Sequence, residues 1–435
     1  MAVKELNIVI GGEAGQGLVT IGRLLSLVLV KCGYEIVVTQ SYQSRIRGGH
    51  NSFAVRVSTE RVEAPCESID LLVALSEETI KLHESALREG SIVVSRFPYS
   101  PSKGIALEVP LSELSEERYE NVSALGVISS LLGLDKEIVG RFIDEGIGEK
   151  HPEYLEPNLK ALEAGFLWAQ ENADEGLPLE EVASKGDRLM LNGNEAIAIG
   201  ALSAGVGFCA FYPMTPATSI PLTLIRASER MRIVVEQAED EISAINMALG
   251  ASYAGTPAMV ATSGGGFALM VEGISLSAMT ETPVVVVVAQ RPGPATGLPT
   301  RTEQGDLSFV LNAGHGEFPR VIFAPGTVEE CFELTRRAFF LAEKYQIPAF
   351  VLTDQFLSDS YRAVEQLSLE GLDWVVPGAD EGDVEVPYKR FALTDSGVSP
   401  RLLPGFNEHL VCLLYTSDAA DEGLGVDLGG RRLIK

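Results

Sequence analysis

The feature of this sequence that most restricts its fold is a regular alternation of short apolar runs and longer helical stretches between residues 189 and 375. Four of these runs have the length and apolar content of buried strands: Pro257–Thr262, Val284–Ala289, Arg320–Ala324 and Ala349–Thr353. Helical stretches lie between them, for example Asp240–Tyr253 and Val328–Tyr345. Alternating strands and helices are typical of an α/β domain with a doubly wound, mainly parallel sheet. Ligands bind at the carboxyl edge of such sheets, where polar residues follow these runs.

Residues 1–172 have the pattern of a separate α/β domain. A strand-like run at Leu6–Ile10 is followed by a Gly-rich turn, Gly11–Gly17, an apolar helix at Leu18–Val30 and a second strand at Glu35–Thr39. This order of strand, loop, helix and strand predicts the start of a βαβ unit.

The remaining segments are expected to connect or follow these two blocks. Residues 173–188 are polar and contain Gly and Pro, which is typical of a linker. Residues 376–411 contain one strand-like piece, Tyr388–Leu393, and are interpreted as the start of a truncated third domain.

Charge and hydropathy exclude several classes of protein. The 435 residues include 34 Lys+Arg and 60 Asp+Glu, which gives a formal net charge of −26. Because such a chain repels phosphate backbones, we expect no nucleic-acid partner. No apolar run reaches the roughly 18 residues of a membrane span, and the N-terminus lacks a signal-peptide pattern, so we expect no membrane association.

The cysteines and histidines predict no metal site on this chain. The cysteines are Cys32, Cys66, Cys209, Cys331 and Cys412, and no two of them lie within four residues of each other. The CxxC pairs of iron–sulfur and structural zinc sites are therefore missing, and the histidines form no HxxxH pair. Scattered cysteines in odd number are typical of reduced thiols, which predicts a cytoplasmic protein.

The Gly-rich turn of the first block is a candidate anion-binding loop. Glycines between a strand and a helix, here Gly11, Gly12, Gly15 and Gly17, let backbone N–H groups face a phosphate. Their order differs from the dinucleotide fingerprint, and no acidic residue ends the second strand, which disfavours NAD. A tight turn without a ligand stays an alternative. Nearby, Arg45 and Arg47 precede a Gly pair and could hold an anion or form a solvated turn.

In the second block, three motifs carry candidate site residues. Thr215 lies between two prolines in YPMTP, which makes a stiff loop for a substrate-binding hydroxyl. Arg291 and Arg301 follow a strand and could bind a carboxylate. Glu236 and Glu239 belong to an acidic stretch before a helix of small residues, where an acid in a packed site could exchange a proton with a heterocycle. Helix capping alone could also explain these acids.

These motifs resemble the α subunit of 2-oxoacid:ferredoxin oxidoreductases in the form with an N-terminally fused γ domain. The resemblance covers about residues 1–365. It rests on GGEAGQG and SRIRGGHN in the first block, and on GNEAIAIGA, FYPMTPAT, EQAEDEISAINMALGAS, TSGGGFALMVEG and QRPGPATGLPTRTEQGD in the second. It implies a γ-type α/β domain followed by the pyrimidine-binding domain of thiamine-diphosphate enzymes.

The resemblance also implies an activity and roles for residues. The family converts a 2-oxoacid and CoA to acyl-CoA and CO2, and passes electrons to ferredoxin. It implies that Glu239, with Glu236 as competitor, contacts the aminopyrimidine ring. It further implies that Thr215 binds the 2-oxoacid, and that Arg301 or Arg291 binds its carboxylate. The glycines at 11, 12, 15 and 17 and the arginines at 45 and 47 are implicated in CoA binding.

The missing elements point to a partner chain. This chain has no GDG motif, which would bind Mg²⁺ and the diphosphate, and its scattered cysteines form no motif for a 4Fe-4S cluster. The resemblance implies that a β subunit carries the Mg²⁺ and diphosphate site and the cluster. We therefore expect a hetero-dimer or hetero-tetramer and no activity of this chain alone. 2-Oxoglutarate is the favoured substrate, and pyruvate, branched-chain 2-oxoacids and indolepyruvate stay open. A non-catalytic partner-binding subunit and a nucleotide-binding dehydrogenase are the alternatives from other classes.

Residues 412–435 have a different origin in our interpretation. Two stretches, Cys412 to Asp421 and Val426 to Arg432, match in order the translation of a transposase-type sequencing adapter. We interpret the segment as an adapter-derived artefact and expect the natural sequence to continue beyond Val411.

Overall fold

The computed structural model describes residues 2–13, 15–42, 49–148, 151–183, 185–371 and 388–404. The described residues form two compact units. The first contains the chain up to Asn192 together with Asp359–Leu367, and the second contains Gly193–Ser358 and the described residues from Ser368 onward. Arg45, Arg47 and the segments 376–387 and 405–435 lie outside the described residues.

The first unit is built on a mixed sheet of eight strands. The strands are β1 (Glu5–Glu13), β2 (Glu35–Tyr42), β3 (His50–Ser58), β4 (Ile69–Ala74), β5 (Leu87–Ser95), β6 (Ile105–Glu108), β7 (Leu189–Leu191) and β14 (Tyr361–Val364). Their order is β6-β5-β4-β1-β3-β2-β14-β7. The pairs β1–β4, β4–β5 and β5–β6 are parallel, whereas β3 is antiparallel to both β1 and β2. The chain therefore returns to this sheet at β14 after passing through the second unit.

Helices cover this sheet and bury its apolar side chains. They are α1 (Leu18–Lys31), α2 (Glu77–His83), α3 (Leu111–Leu114), α4 (Glu120–Leu131), α5 (Lys136–Ile143) and α6 (Pro152–Asn172). Helices α4 and α6 cross at close range because glycines meet at the crossing. A Cβ on Gly126 would collide with the carbonyl of Leu162, and one on Gly165 with the carbonyl of Ser123.

The second unit has the doubly wound parallel sheet that its sequence pattern predicts. Its strands are β8 (Phe208–Phe211), β9 (Val234–Gln237), β10 (Ala258–Thr262), β11 (Val284–Gln290), β12 (Val321–Phe323) and β13 (Pro348–Asp354). They are all parallel, in the order β12-β13-β11-β10-β8-β9. Strands β10, β11 and β13 are buried along their whole length, as expected when helices cover both faces.

The helices of the second unit follow the predicted alternation. They are α7 (Gly193–Ser203), α8 (Ser219–Ser228), α9 (Glu241–Tyr253), α10 (Gly264–Thr280), α11 (Leu307–Asn312), α12 (Val328–Tyr345) and α13 (Gln355–Asp359). Helix α12 has the bounds that the sequence predicts. None of the helices in the described part of the chain is long and apolar enough to cross a membrane.

Two local predictions were wrong. Strand β1 does not end at Ile10 but continues through Gly11 and Gly12 to Glu13, because both glycines pair in register with β3. The strand-like piece Tyr388–Leu393 is not a strand. Buried side chains hold this segment to the second unit instead, since Arg390 donates to Gln346 Oε1 (2.6 Å) and to the carbonyl of Glu281 (2.8 Å).

Candidate active site

Three loops meet at the carboxyl edge of the second sheet. They follow β8, β10 and β11, which are neighbours in the sheet order. Because neighbouring parallel strands end at the same edge, the YPMTP loop, the three glycines after Ser263 and the loop from Arg291 to Asp306 come together there. The sheet topology thus assembles a site from segments about 50 and 75 residues apart in sequence.

Thr215 and Arg291, both predicted from the sequence, are in direct contact. The Arg291 guanidinium donates from Nη1 to the backbone carbonyl of Thr215, at 2.5 Å. Arg291 is only 9% exposed, and its burial lowers the pKa of the guanidinium, while the charge of Glu241 acts in the opposite direction. Its Nε has no hydrogen-bond partner among the described residues. Arg301, by contrast, is exposed.

Three consecutive glycines begin α10, and a different neighbour approaches each of them. A Cβ on Gly264 would collide with the carboxylate of Asp306. One on Gly265 would lie 3.1 Å from the carbonyl of Ala295, and one on Gly266 would collide with Thr262 Oγ1 and lie 2.6 Å from Glu241 Oε1. The glycines are therefore required so that the loop after β11 and the Glu241 carboxyl group can lie against the first turn of α10.

Glu241 is a buried acid at this site. It is the first residue of α9 and only 3% exposed, and its Oε1 has no hydrogen-bond partner within the described ranges. Burial raises the pKa of the Glu241 carboxyl group, as does the nearby Asp240, whereas a backbone amide and the charge of Arg291 act in the opposite direction. A carboxyl group of this kind can hold or release a proton that an exposed carboxylate would already have lost.

The two acids proposed from the sequence have a different environment. Glu236 and Glu239 are both exposed. The Glu239 carboxylate accepts a hydrogen bond of 2.6 Å from the Ser243 hydroxyl, which lowers the pKa of Glu239. Asp240 caps α9 by accepting from the Ser243 amide at 2.7 Å. The roles predicted for Glu236 and Glu239 stay predictions.

The sequence contained a signal that would have selected Glu241. The buried positions of α9 are Glu241, Ala244, Ile245, Ala248, Leu249 and Ser252. These positions follow the helical repeat of three and four residues, so Glu241 is the first member of the buried stripe. Reading the acid together with the small residues that follow it would have placed its side chain inside.

Hydrogen bonds also secure the loop after β11, through residues that sequence reasoning missed. Gln290 Oε1 accepts from the Asp306 amide at 2.8 Å, and Gln304 donates to the carboxylate of Asp354 at 2.5 Å. Burial raises the pKa of Asp306, and Glu303 adds to this rise. These contacts close the loop at its base.

In the first unit, the predicted Gly-rich segment is packed at both ends. A Cβ on Gly11 would lie 3.0 Å from His50 Nε2 and would collide with Thr79, and one on Gly17 would collide with the side chain of Asn121. Between them, a Cβ on Gly15, at φ +102°, would meet none of the described residues within 4 Å. Gln16 folds back and accepts from the Glu13 amide at 2.8 Å. Gly11 and Gly17 therefore contribute to packing, and Gly15 is exposed.

No cluster of three or more metal-ligating side chains occurs among the residues that the structure describes.

Comparisons with known proteins cover both units. A family model described as "Pyruvate flavodoxin/ferredoxin oxidoreductase, thiamine diP-bdg" matches residues 199–391. A second, "Pyruvate ferredoxin/flavodoxin oxidoreductase", matches residues 7–168.

Relatives match over most of the chain. The 2-oxoacid:ferredoxin oxidoreductase subunit alpha of a Sulfolobus species is 32% identical over 96% of this chain and 74% of its own length. The 2-oxoglutarate oxidoreductase subunit KorA of Mycobacterium tuberculosis is 30% identical over 80% of this chain and 60% of its own length. The structure of the 2-oxoglutarate:ferredoxin oxidoreductase from Magnetococcus marinus, with 2-oxoglutarate, coenzyme A and succinyl-CoA bound, is 31% identical. The structural match covers 94% of this chain and 73% of the Magnetococcus chain, with a TM-score of 0.85.

Proposed function

Because this chain belongs to the family of 2-oxoacid:ferredoxin oxidoreductase α subunits, we propose that it carries the aminopyrimidine half of a thiamine diphosphate site. In this proposal it acts in the CoA-dependent oxidative decarboxylation of a 2-oxoacid, with 2-oxoglutarate favoured. The names of the Mycobacterium relative and of the Magnetococcus structure support this choice of substrate.

The observation that carries the proposal is the buried Glu241 carboxyl group with an unpartnered oxygen. A buried polar atom without a hydrogen-bond partner is costly, so it suits a site that a ligand completes. The close approach of Gly266 leaves no side chain between this oxygen and the start of α10. These residues fit an aminopyrimidine ring, since a protonatable carboxyl group can hydrogen-bond a ring nitrogen.

When bound, thiamine diphosphate supplies the nucleophilic carbon and the electron sink for decarboxylation. Glu241 would hold or move a proton at its Oε1, and its raised pKa suits that task. The Nε of Arg291 would bind the 2-oxoacid carboxylate, while Nη1 keeps its bond to the Thr215 carbonyl. The Thr215 hydroxyl would bind a substrate oxygen, and the exposed Arg301 is a candidate for the second carboxylate of 2-oxoglutarate.

The remaining parts of the reaction are assigned to other sites and chains. We propose that the Gly-rich turn, through the exposed Gly15 together with Gly17, Arg45 and Arg47, contributes to CoA binding. A β subunit would carry Mg²⁺, the diphosphate site and the 4Fe-4S cluster, and would pass electrons to ferredoxin. The four described cysteines are free thiols, which supports the proposed cytoplasmic location.

The test of the acid compares three single substitutions in the chain produced together with its β subunit. Glu241→Gln keeps the size of the side chain but removes its titratable carboxyl group, so 2-oxoacid-dependent reduction of a viologen dye should fall by about 10²- to 10⁴-fold. Glu239→Gln and Glu236→Gln should stay near the wild-type rate, because both side chains are exposed. A large loss in Glu239→Gln together with a normal Glu241→Gln would return the role to Glu239.

The substrate and the CoA site have separate readouts. The wild-type complex is assayed with 2-oxoglutarate, pyruvate, a branched-chain 2-oxoacid and indolepyruvate, and 2-oxoglutarate should have the highest kcat/KM. Replacing Arg45 and Arg47 by Ala should raise the KM for CoA and leave the KM for the 2-oxoacid unchanged. Equal rates with all four acids would refute the proposed specificity.

A further inference from the structure

The loop from residue 212 to 218 connects β8 to α8 and contains Thr215. It has fewer backbone hydrogen-bond donors than most loops of its length. Pro213 and Pro216 have no N–H group, so they can donate no backbone hydrogen bond. Two consecutive carbonyls of the loop are held by side chains from elsewhere in the unit. Arg291 binds the carbonyl of Thr215, and Asn194 donates from Nδ2 to the carbonyl of Pro216 at 2.8 Å.

Asn194 makes a second contact on the other side of the same loop. Its Nδ2 also donates to the Ser219 hydroxyl at 2.8 Å, and Ser219 is the first residue of α8. Both donors of one amide group therefore bind the two ends of the segment Pro216–Ser219. Asn194 thus connects the first turn of α7, where it is the second residue, to the loop and to the start of α8.

The Asn194 amide is buried among mostly apolar residues. Asn194 is 0% exposed, and after the half-buried Glu195 helix α7 continues with the buried residues Ala196, Ile197 and Ala198. A buried amide in such surroundings is unfavourable unless it is hydrogen-bonded. The Pro216 carbonyl and the Ser219 hydroxyl satisfy its two N–H donors, whereas its Oδ1 has no hydrogen-bond partner among the described residues. The two donated bonds are therefore what favours an amide at this position.

We propose that Asn194 is a positioning residue for Thr215. By holding the Pro216 carbonyl and Ser219, it sets the direction of the Thr215 hydroxyl toward the 2-oxoacid. This inference rests on the proposed function of Thr215, and it assigns to Asn194 no contact with substrate.

The positioning role depends on donor groups, which gives a conservative test. Asp has the size of Asn but no N–H₂ group, so Asn194→Asp cannot donate to the Pro216 carbonyl. In the complex with the β subunit, Asn194→Asp should raise the KM for the preferred 2-oxoacid about tenfold and leave the KM for CoA unchanged. Asn172→Ala, at an exposed asparagine of α6, is the matched control and should behave as wild type. A wild-type KM for the 2-oxoacid in folded Asn194→Asp would overturn the proposal.

Two further measurements keep the outcome decisive. If Asn194→Asp does not accumulate, Ser219→Ala removes one of the two bonds, and the KM for the 2-oxoacid should rise about threefold. An unchanged KM for the 2-oxoacid in Ser219→Ala would overturn the positioning role.

If the wild-type complex has no 2-oxoacid activity, the proposed function fails. Hydrogen exchange of peptides that cover residues 212–222 then decides for Asn194. Faster exchange in Asn194→Asp than in Asn172→Ala supports the role, and equal exchange refutes it.

Discussion

Two glycines on neighbouring helices should respond in opposite directions to the same substitution. Gly250 lies in α9, and a Cβ there would meet nothing within 4 Å. Gly250→Ala should therefore raise the free energy of unfolding by up to about 1 kcal/mol, the difference in helix propensity between Gly and Ala. Gly266 lies in α10, and a Cβ there would collide with Thr262 Oγ1 and would lie 2.6 Å from Glu241 Oε1.

The expected stability of Gly266→Ala is given relative to that of Gly250→Ala. Ala brings the same gain in helix propensity, but inserting a methyl group into a packed contact costs about 1–3 kcal/mol. The propensity gain largely cancels between the two variants. Gly266→Ala should therefore be about 1–3 kcal/mol less stable than Gly250→Ala, which corresponds to roughly 2–12 °C in Tm for a unit of this size.

Both variants can be measured on the chain by thermal unfolding and by urea titration. The complex with the β subunit gives a second readout, because Gly266→Ala moves the Glu241 carboxyl group and should lower turnover, while Gly250→Ala provides the stability control. Equal stabilisation by both substitutions would refute the close packing of Thr262 and Glu241 against the start of α10. Normal turnover in Gly266→Ala would contradict a role of the Glu241 carboxyl group in the reaction.

Two other predictions concern stability. Arg390→Met should lower the free energy of unfolding by about 2–4 kcal/mol, because buried acceptors at Glu281 and Gln346 lose their donor. Urea titration measures this change. Lys389→Met, at the exposed neighbouring residue, is the control and should change the free energy of unfolding little. His50 and His83 have ring centroids 5.3 Å apart, and burial lowers the pKa of both below the usual value. Between the lowered pKa values and the usual value of about 6.5, the unfolded chain binds more protons than the folded chain. The free energy of unfolding should therefore be at its full value above about pH 6.5 and should fall as the pH decreases below it. His83→Gln should flatten this dependence in chemical unfolding at pH 7.5 and 5.5. The exposed His151→Gln is the control, and an unchanged slope in His83→Gln would contradict the assignment.

Local sequence patterns predicted four strands of the second sheet, β10 to β13, and missed β8 and β9. Strands β10, β11 and β13 are buried along their whole length and therefore appear as continuous apolar runs, whereas β9 is mostly exposed. Helix α12 begins at a Thr327 cap and has a strong apolar stripe. Thr215 and Arg291 were also singled out from the sequence, because prolines and arginines at strand ends are unusual enough to stand out, and the roles predicted for them stay predictions.

The residues that were missed depend on contacts between distant segments. Asn194 lies 22 residues from Pro216 in sequence, and nothing in GNEA alone indicates that its amide binds that carbonyl. The strand β14 joins a sheet whose other strands end at Leu191, and no pattern in Tyr361–Val364 specifies that partner. The segment that includes Tyr388–Leu393 has a strand-like composition, yet it is held by buried hydrogen bonds of Arg390.

The sequence by itself determined the family and the class of fold, and it predicted the loops of the candidate site, because apolar periodicity and motif spacing are local properties of the chain. The spacing of α9 places Glu241 on the apolar stripe of that helix, but only the tertiary structure decided that this stripe is covered at Glu241. Glu236, Glu239 and Glu241 are alike in composition and lie within six residues of one another. Their difference arises from packing: α10 and its glycines close over Glu241 and remove it from water, while Glu236 and Glu239 stay exposed. Burial, which shifts the pKa of a carboxyl group, is a property of the assembled sheet and helices and not of the chain alone.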